Sequence, residues 1–297
     1  MPKTAPHLRS GVDMANAIIA YQNRIDEATF GAYGSWQASL PLANLQNRTL
    51  SKVARSVTDA NADTRIRFSL TKDRIVGTVA IINHNLSTNA TWRYRVYSDS
   101  GYTTLTYDSG VIEVWPTMPV GYFEWEDDGF WNMRTPEEDR AYLSPTTIHV
   151  PSTTVVNRYY QIEFFDDLNT DGYVQLGRIF VGKKYQPTIN MALGASVGNE
   201  SRTLIDEAIS GAEYFDRRNS YRVAKFDLGM LDSSDSILNA DLMKISDTDS
   251  EVVFVYDPDD AIGIGRKSFL GRLRTLSPIE QPYSKFLRTA YEIKELL

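Results

Sequence analysis

The stretch that decides the fold is NRYYQIEFFDDLNTDGYVQLGRIFVG, residues 157–182. Two runs rich in aromatic and β-branched residues flank the polar segment 166–172, which is made of Asp, Asn, Thr and Gly around one Leu. Such runs favour strands, and the residues between them favour a tight turn. The stretch therefore predicts two antiparallel strands joined by a polar turn, the second ending in GRIFVG (177–182).

The same pattern of short strands and turn residues continues upstream. The segments RIRFSLT (65–71), IVGTVAIINHNLS (75–87), TWRYRVYSD (91–99) and TLTYDSGVIEVW (104–115) each read as one or two strands. Short strands at regular spacing predict an antiparallel sandwich. We place it at residues 61–185, after an irregular N-terminal segment 1–60 that leads into it.

The pattern of strand-forming residues changes after Gly182, and we place a domain boundary in KKYQPTINMALGASVGNES (183–201). Beyond it, residues 186–297 predict a second all-β domain with strands at 217–232 and 250–256. DSILNADLMKIS (235–246) predicts one short helix with Asp235 as its cap. YSKFLRTAYEIKELL (283–297) fits a strand or a helix, and GIGR (263–266) predicts a hairpin or turn.

Composition excludes several functional classes. The chain has 297 residues, a net charge of −7 and no cysteine. The acidic balance disfavours binding to nucleic acid, and the missing cysteines exclude disulfides and thiolate chemistry. His7, His84 and His149 lack metal-ligand spacing. We expect no signal peptide and no spanning helix, because no run of about 18 apolar residues occurs.

The segment YFEWEDDGFW (122–131) is the most unusual part of the sequence. It places five aromatic residues among four acids: Tyr122, Phe123, Trp125, Phe130 and Trp131 are the aromatic members. The Asp-Asp-Gly at 127–129 predicts a turn, so the segment should be a loop or hairpin that folds back. Three interpretations are open: the rings stack on a sugar, they contact a partner protein, or they pack on the chain's own sandwich. We rank the last two together above the first, because large rings are more often buried or interfacial.

Two acidic patterns suggest further chemistry. DLNTDG (167–172) matches the first half of a calcium loop, with Asp167, Asn169 and Asp171 as the possible ligands. Its twelfth position is Arg178 instead of Glu, so a polar turn is the favoured interpretation over a calcium site. The acids at 124–128 could supply the carboxylate pair of a glycan hydrolase. We rank that hypothesis last and predict no enzyme and no catalytic residue.

The motifs in 65–182 resemble the galactose-binding-type jelly roll of the discoidin, or coagulation-factor C-domain, family. The resemblance rests on IRFSLTKDRIVGTVAIINHNLS, on RYRVYSD and on the GRIFVG end, and it covers roughly two-fifths of the chain. Members of that family bind ligands through loops at one end of the sandwich. The resemblance therefore implies glycan contact through the loop at 121–131.

The arrangement is also similar to minor tail and baseplate proteins of long-tailed bacteriophages. NHNLS at a strand end, the GRIFVG closure and RRNSYRVAKFDL carry this likeness, and residues 186–297 resemble the β-barrel-like ring domain of distal tail proteins. The resemblance implies an all-β chain, a jelly roll followed by a smaller barrel-like domain.

The favoured hypothesis is therefore a structural protein of the phage tail tip. It implies a homo-oligomeric ring that links the tail tube to receptor-facing baseplate proteins, assembled in the host cytoplasm and carried in the virion. The alternative is a carbohydrate-binding module that recognises host-surface glycans through residues 121–131. No cofactor is predicted apart from the possible calcium ion, and neither nucleic acid nor membrane insertion is expected.

Overall fold

The computed structural model describes residues 15–119 and 121–297. His7 and the remainder of residues 1–14, part of the predicted N-terminal segment, lie outside the described residues. The strands and α-helices are β1 (Ile18–Tyr21), β2 (Thr29–Phe30), β3 (Ala54–Arg55), β4 (Ile66–Val76), β5 (Thr78–His84), β6 (Thr91–Tyr97), β7 (Leu105–Asp108), β8 (Ile112–Glu113), β9 (Thr146–His149), β10 (Val155–Phe165), β11 (Gln175–Tyr185), β12 (Ser196–Glu200), β13 (Leu204–Glu207), β14 (Glu213–Asp216), β15 (Tyr221–Leu231), α1 (Ser233–Ser246), β16 (Glu251–Val255), α2 (Ile264–Lys267), β17 (Phe269–Leu273) and β18 (Leu287–Glu295). Single 3-10 turns occur at Ile25–Glu27, Leu42–Gln46 and Asp139–Tyr142.

The chain divides into two compact units whose borders differ from the predicted ones. The first unit contains Asn23–Lys183 and Asp257–Arg266, and the second contains Asn16–Gln22, Lys184–Tyr256 and Lys267–Leu297. Residues 23–60 are thus part of the first unit instead of a lead-in to it. The reason is burial, since four apolar residues of this segment lie in the first unit's core: Ile25, Ala28, Leu45 and Ala54.

The first unit is an antiparallel sandwich, as predicted. One sheet has the order β2-β4-β10-β6-β7 with β8 also beside β6, and the other joins β11, β5 and β9 with β3 beside β11. On the central strand β10, Tyr160 lies opposite Phe68 and Val96. Tyr160 and Phe68 stack with ring centroids 5.2 Å apart. Alternate residues of both sheets fill one core, which gives the jelly-roll-type fold its stability.

The GRIFVG motif shows why its first two residues are Gly and Arg. A Cβ on Gly177 would lie 2.9 Å from the carbonyl oxygen of Leu50, so only glycine fits. Arg178 is fully buried, donates to the carbonyl oxygen of Leu45 at 2.8 Å and pairs with Asp26 at 2.7 Å. The motif therefore ties residues 23–60 to strand β11.

The second unit is also predominantly β, in agreement with the prediction. Its antiparallel ladder runs in the order β12-β15-β18-β17-β16-β1. Phe226 of β15 stacks on Phe254 and Tyr291, with centroids 5.1 and 5.4 Å away, at the centre of a separate core. The last segment of the chain is the strand β18, which decides between the two predicted possibilities.

Two local predictions in the C-terminal part were wrong. The N-cap of α1 is Asp232, whose side chain accepts from the backbone N–H of Asp235 at 2.7 Å. Asp235 instead lies in the first turn and accepts from the N–H of Thr188 at 2.8 Å. GIGR enters the one-turn helix α2 and forms no hairpin.

Candidate functional site

Four loops meet at one end of the first unit, which we call the loop end. Strand β10 finishes at Phe165 opposite Thr91, where β6 begins, and Ile162 lies opposite Ile66, where β4 begins. On the other sheet, β9 begins opposite the end of β5, at Ile82. The loop end therefore collects the segments 56–65, 85–90, 114–145 and 166–174.

Arg134 fixes the longest of these loops, 114–145, to the sandwich. Its guanidinium donates to the carbonyl oxygens of Thr88 at 2.9 Å and Trp115 at 3.2 Å. It also pairs with Glu113 at 2.7 Å. One side chain thus joins the start of the loop, its far part and the neighbouring 85–90 loop, which restricts the loop's motion.

Arg140 and Glu137 form a second clamp on the same loop. Arg140 donates to the carbonyl oxygens of Asn85 at 3.1 Å and Leu86 at 2.9 Å, and pairs with Glu137 at 3.1 Å. Glu137 accepts from the N–H and hydroxyl of Thr88 at 2.7 and 2.9 Å. Long loops inside compact domains are usually functional, and this one is held in place by charge-assisted hydrogen bonds.

The predicted aromatic residues separate into exposed and partly buried rings. Trp125 is 70% exposed, Trp131 is 84% exposed and Tyr122 is 54% exposed. Phe123 and Phe130 are partly buried and hold Tyr122 and Trp131 by edge-to-face contacts at 5.0 and 5.2 Å. The interpretation that both indoles pack on the chain's own sandwich is therefore wrong.

Gly129 explains how the loop folds back. Two successive turns, closed by Asp127 N–H to Glu124 O and Phe130 N–H to Asp127 O at 3.0 Å each, reverse the chain as Asp127-Asp128-Gly129 predicted. Gly129 is buried, and a Cβ there would lie 2.4 Å from the carbonyl oxygen of Arg134. The turn therefore needs glycine because of this close approach between backbones.

The three predicted calcium ligands use their side chains in hydrogen bonds within the chain. Asp167 accepts from the N–H of Asn61 at 3.2 Å, and Asp171 accepts from the side chain of Asn85 at 2.8 Å. Asn169 is buried and uses its amide to bond Asp166 at 2.7 Å. These bonds account for a polar turn, and no cluster of three or more His, Asp or Glu suited to a metal occurs within residues 15–119 and 121–297. The preference for a polar turn over a calcium site stays a prediction.

Asp166, which the sequence analysis did not single out, is the centre of this turn. It is buried and accepts from the backbone N–H of Ser87 at 3.0 Å, from the Ser87 hydroxyl and from Asn169. Burial raises its pKa, although the hydrogen bonds from Ser87 and Asn169 oppose that shift. Asp166 thus joins the 85–90 and 166–174 loops beside the aromatic loop.

His84 lies beneath the loop end as a buried neutral ring. Its Nδ1 accepts from the N–H of Leu86 at 3.3 Å, and its ring meets Trp115 edge to face at 5.7 Å. Burial, and secondarily the charge of Arg140, lowers its pKa to about 3. The neutral ring, hydrogen-bonded to Leu86 and packed against Trp115, agrees with the local structural role predicted for His84.

A small apolar cleft of about 30 Å³ lies at the base of the aromatic loop, within the first unit. Trp115, Met118 and Leu143 form part of its lining, together with the aliphatic part of Arg266. The guanidinium of Arg266 also lies 3.4 Å from the hydroxyl oxygen of Tyr122. Tyr122 is thus positioned beside the cleft, whereas the two indoles project from the loop.

Comparison with known proteins gives only remote likenesses. No protein-family model and no curated protein matches the chain. Among solved structures, the chain is similar to a family 32 carbohydrate-binding module from C. perfringens in complex with galactose, at 12% identity and a TM-score of 0.36 over 56% of this chain and 99% of that one. It is similar to a chitosan-binding module from Paenibacillus sp., at 12% identity and a TM-score of 0.37 over 55% of this chain and 100% of that one. At these values the likenesses carry no argument about what this chain binds.

Sequence reasoning missed the residues that hold the loop end together. Arg134, Glu137 and Arg140 occur in MRTPEEDRAY (133–142), a polar segment without a strand or helix period. The one available signal was the Glu137–Arg140 pair, whose spacing of three permits contact on one turn. Their other partners lie about 20 to 55 residues away in sequence, for example Glu113 for Arg134 and Thr88 for Glu137, so spacing alone does not reveal them. Within the described ranges, no helix has the length and apolar character needed to cross a membrane.

Proposed function

We propose that the protein is a carbohydrate-binding protein whose first unit recognises a glycan through the aromatic loop 121–131. The observation that carries the proposal is the exposure of Trp125 and Trp131, 70% and 84%, on a loop that two arginine clamps hold in place. Exposing an indole to water is unfavourable, so exposed aromatic groups mark ligand or partner sites. A flat indole face offers an apolar surface to the C–H face of a sugar ring.

The acids around the rings favour a sugar over a protein as the occupant. Glu126, Asp127 and Asp128 are exposed between the two indoles, and Glu124 is exposed directly before Trp125. Cores of protein interfaces are depleted in Asp and Glu, because charged groups are costly to desolvate there. Carboxylates accept hydrogen bonds from hydroxyl groups, which a sugar presents around its ring. Aromatic rings combined with a few polar acceptors are typical of small-ligand sites.

A glycan array probed with the intact protein tests the proposal. Trp125→Ala and Trp131→Ala should each abolish or strongly weaken any binding and leave the fold intact. Leu168→Ala is the matched control, because Leu168 is 89% exposed at the same loop end but has no ring. An array without hits at high protein concentration would refute the proposal. Loss of assembly in the tryptophan variants, with no effect on glycans, would indicate a protein contact instead.

We propose as a second candidate a structural subunit of a phage tail tip that forms a homo-oligomer and resides in the virion. The supporting observation is that every residue of β13 and β14 in the second unit is exposed, although several are large and apolar. Light scattering and negative-stain imaging of the purified protein test this candidate. A closed ring would support it, and a strict monomer over a wide concentration range would contradict it. Both candidates are compatible, since a tail-tip subunit can also touch a cell-surface glycan.

A further inference from the structure

Residues 204–216 form a two-stranded β-arm in the second unit. Strands β13 and β14 pair in antiparallel register and form their own sheet, and a turn closed by Ala208 N–H to Ala212 O at 2.8 Å connects them. An isolated two-stranded hairpin is only marginally stable in water. Glu207 and Glu213 lie directly opposite each other, which destabilises this one further. The arm therefore lacks a stabilising contact of the kind that a partner would supply.

The arm exposes apolar side chains on both of its faces. Leu204 and Ile205 are adjacent and therefore point to opposite faces, as do Tyr214 and Phe215. Their exposed fractions lie between 50 and 65%, and Ile209 at the tip is fully exposed. With ~200 Å² for the surface of one large side chain, the five residues expose roughly 700 Å². An apolar surface of this size on a protruding element indicates an interaction site.

The same unit contains an apolar cleft, which we call the second-unit cleft. It has a volume of about 550 Å³. Its lining includes Ile189, Leu193, Met230 and Tyr283, which are 43%, 106%, 50% and 61% exposed. The chain's own arm does not cover these residues. By the same area estimate they expose ~500 Å².

We propose that the arm of one copy of the protein docks into the second-unit cleft of a second copy. The two surfaces together expose roughly 1,200 Å², which reaches the lower end of the area that specific interfaces bury when the cleft encloses both faces of the arm. Both surfaces lie on every copy, so the contact is head-to-tail, and it can be repeated from copy to copy into a ring or a filament. This inference rests on the homo-oligomer proposed above and identifies its contact surfaces.

Charge disfavours the obvious alternative, in which two arms pair with each other. Each arm carries four carboxylates, Asp206, Glu207, Glu213 and Asp216, and one adjacent ion pair from Arg218 to Asp216 at 2.7 Å. Joining two arms edge to edge would place eight acids in one four-stranded sheet, and like charges on neighbouring strands repel. The second-unit cleft has no such excess, because its Asp227 is paired with Arg288 at 2.6 Å.

Light scattering of two complementary variants tests the proposal. The arm variant is Ile205→Ser with Phe215→Ser, and the cleft variant is Met230→Ser with Tyr283→Ser. Ile237→Ser is the control, because Ile237 is a 63% exposed apolar residue on helix α1, outside both surfaces. Circular dichroism confirms that each variant keeps its strands, and all five residues are exposed enough for the fold to tolerate serine.

We expect the unmodified protein and the control to show a mass that rises with concentration above that of the 33.6 kDa monomer. Each double variant alone should remain monomeric. Mixing the two should give a dimer and no larger species, because the arm variant keeps its cleft and the cleft variant keeps its arm.

Three outcomes would overturn the inference. An arm variant that keeps the full mass would refute the arm contact and leave the homo-oligomer standing. A mixture that stays monomeric would refute the head-to-tail arrangement. An unmodified protein that is monomeric at every concentration would refute both the arm contact and the homo-oligomer, without affecting the glycan proposal.

Discussion

Lowering the pH should destabilise the first unit through His84. The pKa of this buried ring falls from 6.5 to about 3 in the folded protein, chiefly because of burial and additionally because of Arg140. His84 therefore binds a proton in the unfolded chain but not in the folded chain, so the folded state loses stability as the pH falls below 6.5. Each pH unit in this range costs about 1.4 kcal/mol, which gives close to 3 kcal/mol at pH 4.5.

The position of His84 predicts which contacts weaken first when the pH falls. Protonation would remove the acceptor at Nδ1, to which Leu86 N–H donates at 3.3 Å. The carbonyl oxygen of Leu86 in turn accepts from Trp115 at 3.1 Å and from Arg140 at 2.9 Å. A charged ring would thus repel Arg140 and loosen the clamp on loop 114–145. Glycan binding should weaken in the same pH range in which the unit loses stability.

Urea unfolding followed by tryptophan fluorescence measures this effect in the first unit alone, since all five tryptophans lie in Asn23–Lys183. With a denaturant slope of about 2–3 kcal/mol/M, the midpoint should fall by ~1 M between pH 6.5 and 4.5. His84→Gln should remove most of this dependence, while His149→Gln, at a half-buried ring whose pKa burial also lowers, should remove less. An unchanged pH dependence in His84→Gln would refute the reasoning.

Three further predictions concern the loop end. Gly129→Ala should lower glycan affinity at least tenfold and the free energy of unfolding by about 1–3 kcal/mol, because the new Cβ would collide with a backbone oxygen 2.4 Å away. An unchanged affinity in calorimetry would contradict this. Replacing Glu126 by Gln and Asp128 by Asn should weaken binding of the best array ligand about fivefold, since neutral acceptors bond hydroxyls less strongly; equal affinity would show that the acids do not touch the ligand. Asn169→Ala should lower the free energy of unfolding by about 1–3 kcal/mol in a urea titration, because buried Asp166 would lose a hydrogen-bond donor. We also expect calorimetric titration of the protein with calcium to give no heat. Measurable heat would support the calcium site.

The sandwich could be predicted because its signals are local. In 157–182, strand periods on both sides of a polar turn specify β10 and β11. The expected hairpin between them was wrong, because β10 pairs with β4, where Tyr160 lies opposite Phe68, and β11 belongs to the other sheet. The role of residues 23–60 could not be predicted. Their contribution to the first unit depends on the ion pair between Arg178 and Asp26 at 2.7 Å. Spacing in the sequence does not predict a contact between residues about 150 positions apart.

The sequence predicted the location of the candidate site but not the exposure of its tryptophans. Composition alone identified 122–131 as unusual, but it could not tell an exposed indole from a buried one. Trp92 and Trp131 show this, because one is fully buried and the other is 84% exposed. The difference comes from register, since Trp92 lies on a strand opposite Phe164. Trp131 lies in a loop that no strand pairing holds.

Rigid support and exposed rings belong together in this loop. A mobile loop would lose conformational freedom on binding, at about 0.5–1.5 kcal/mol for each side chain that becomes fixed. Here Arg134 and Arg140 donate to four backbone carbonyls of the first unit, so much of that ordering is complete before a ligand arrives. The indoles contribute little to folding, and their apolar faces remain available for a ligand. The polar segment that sequence patterns left unassigned is therefore the part that fixes the aromatic segment, which we propose as the glycan-binding surface.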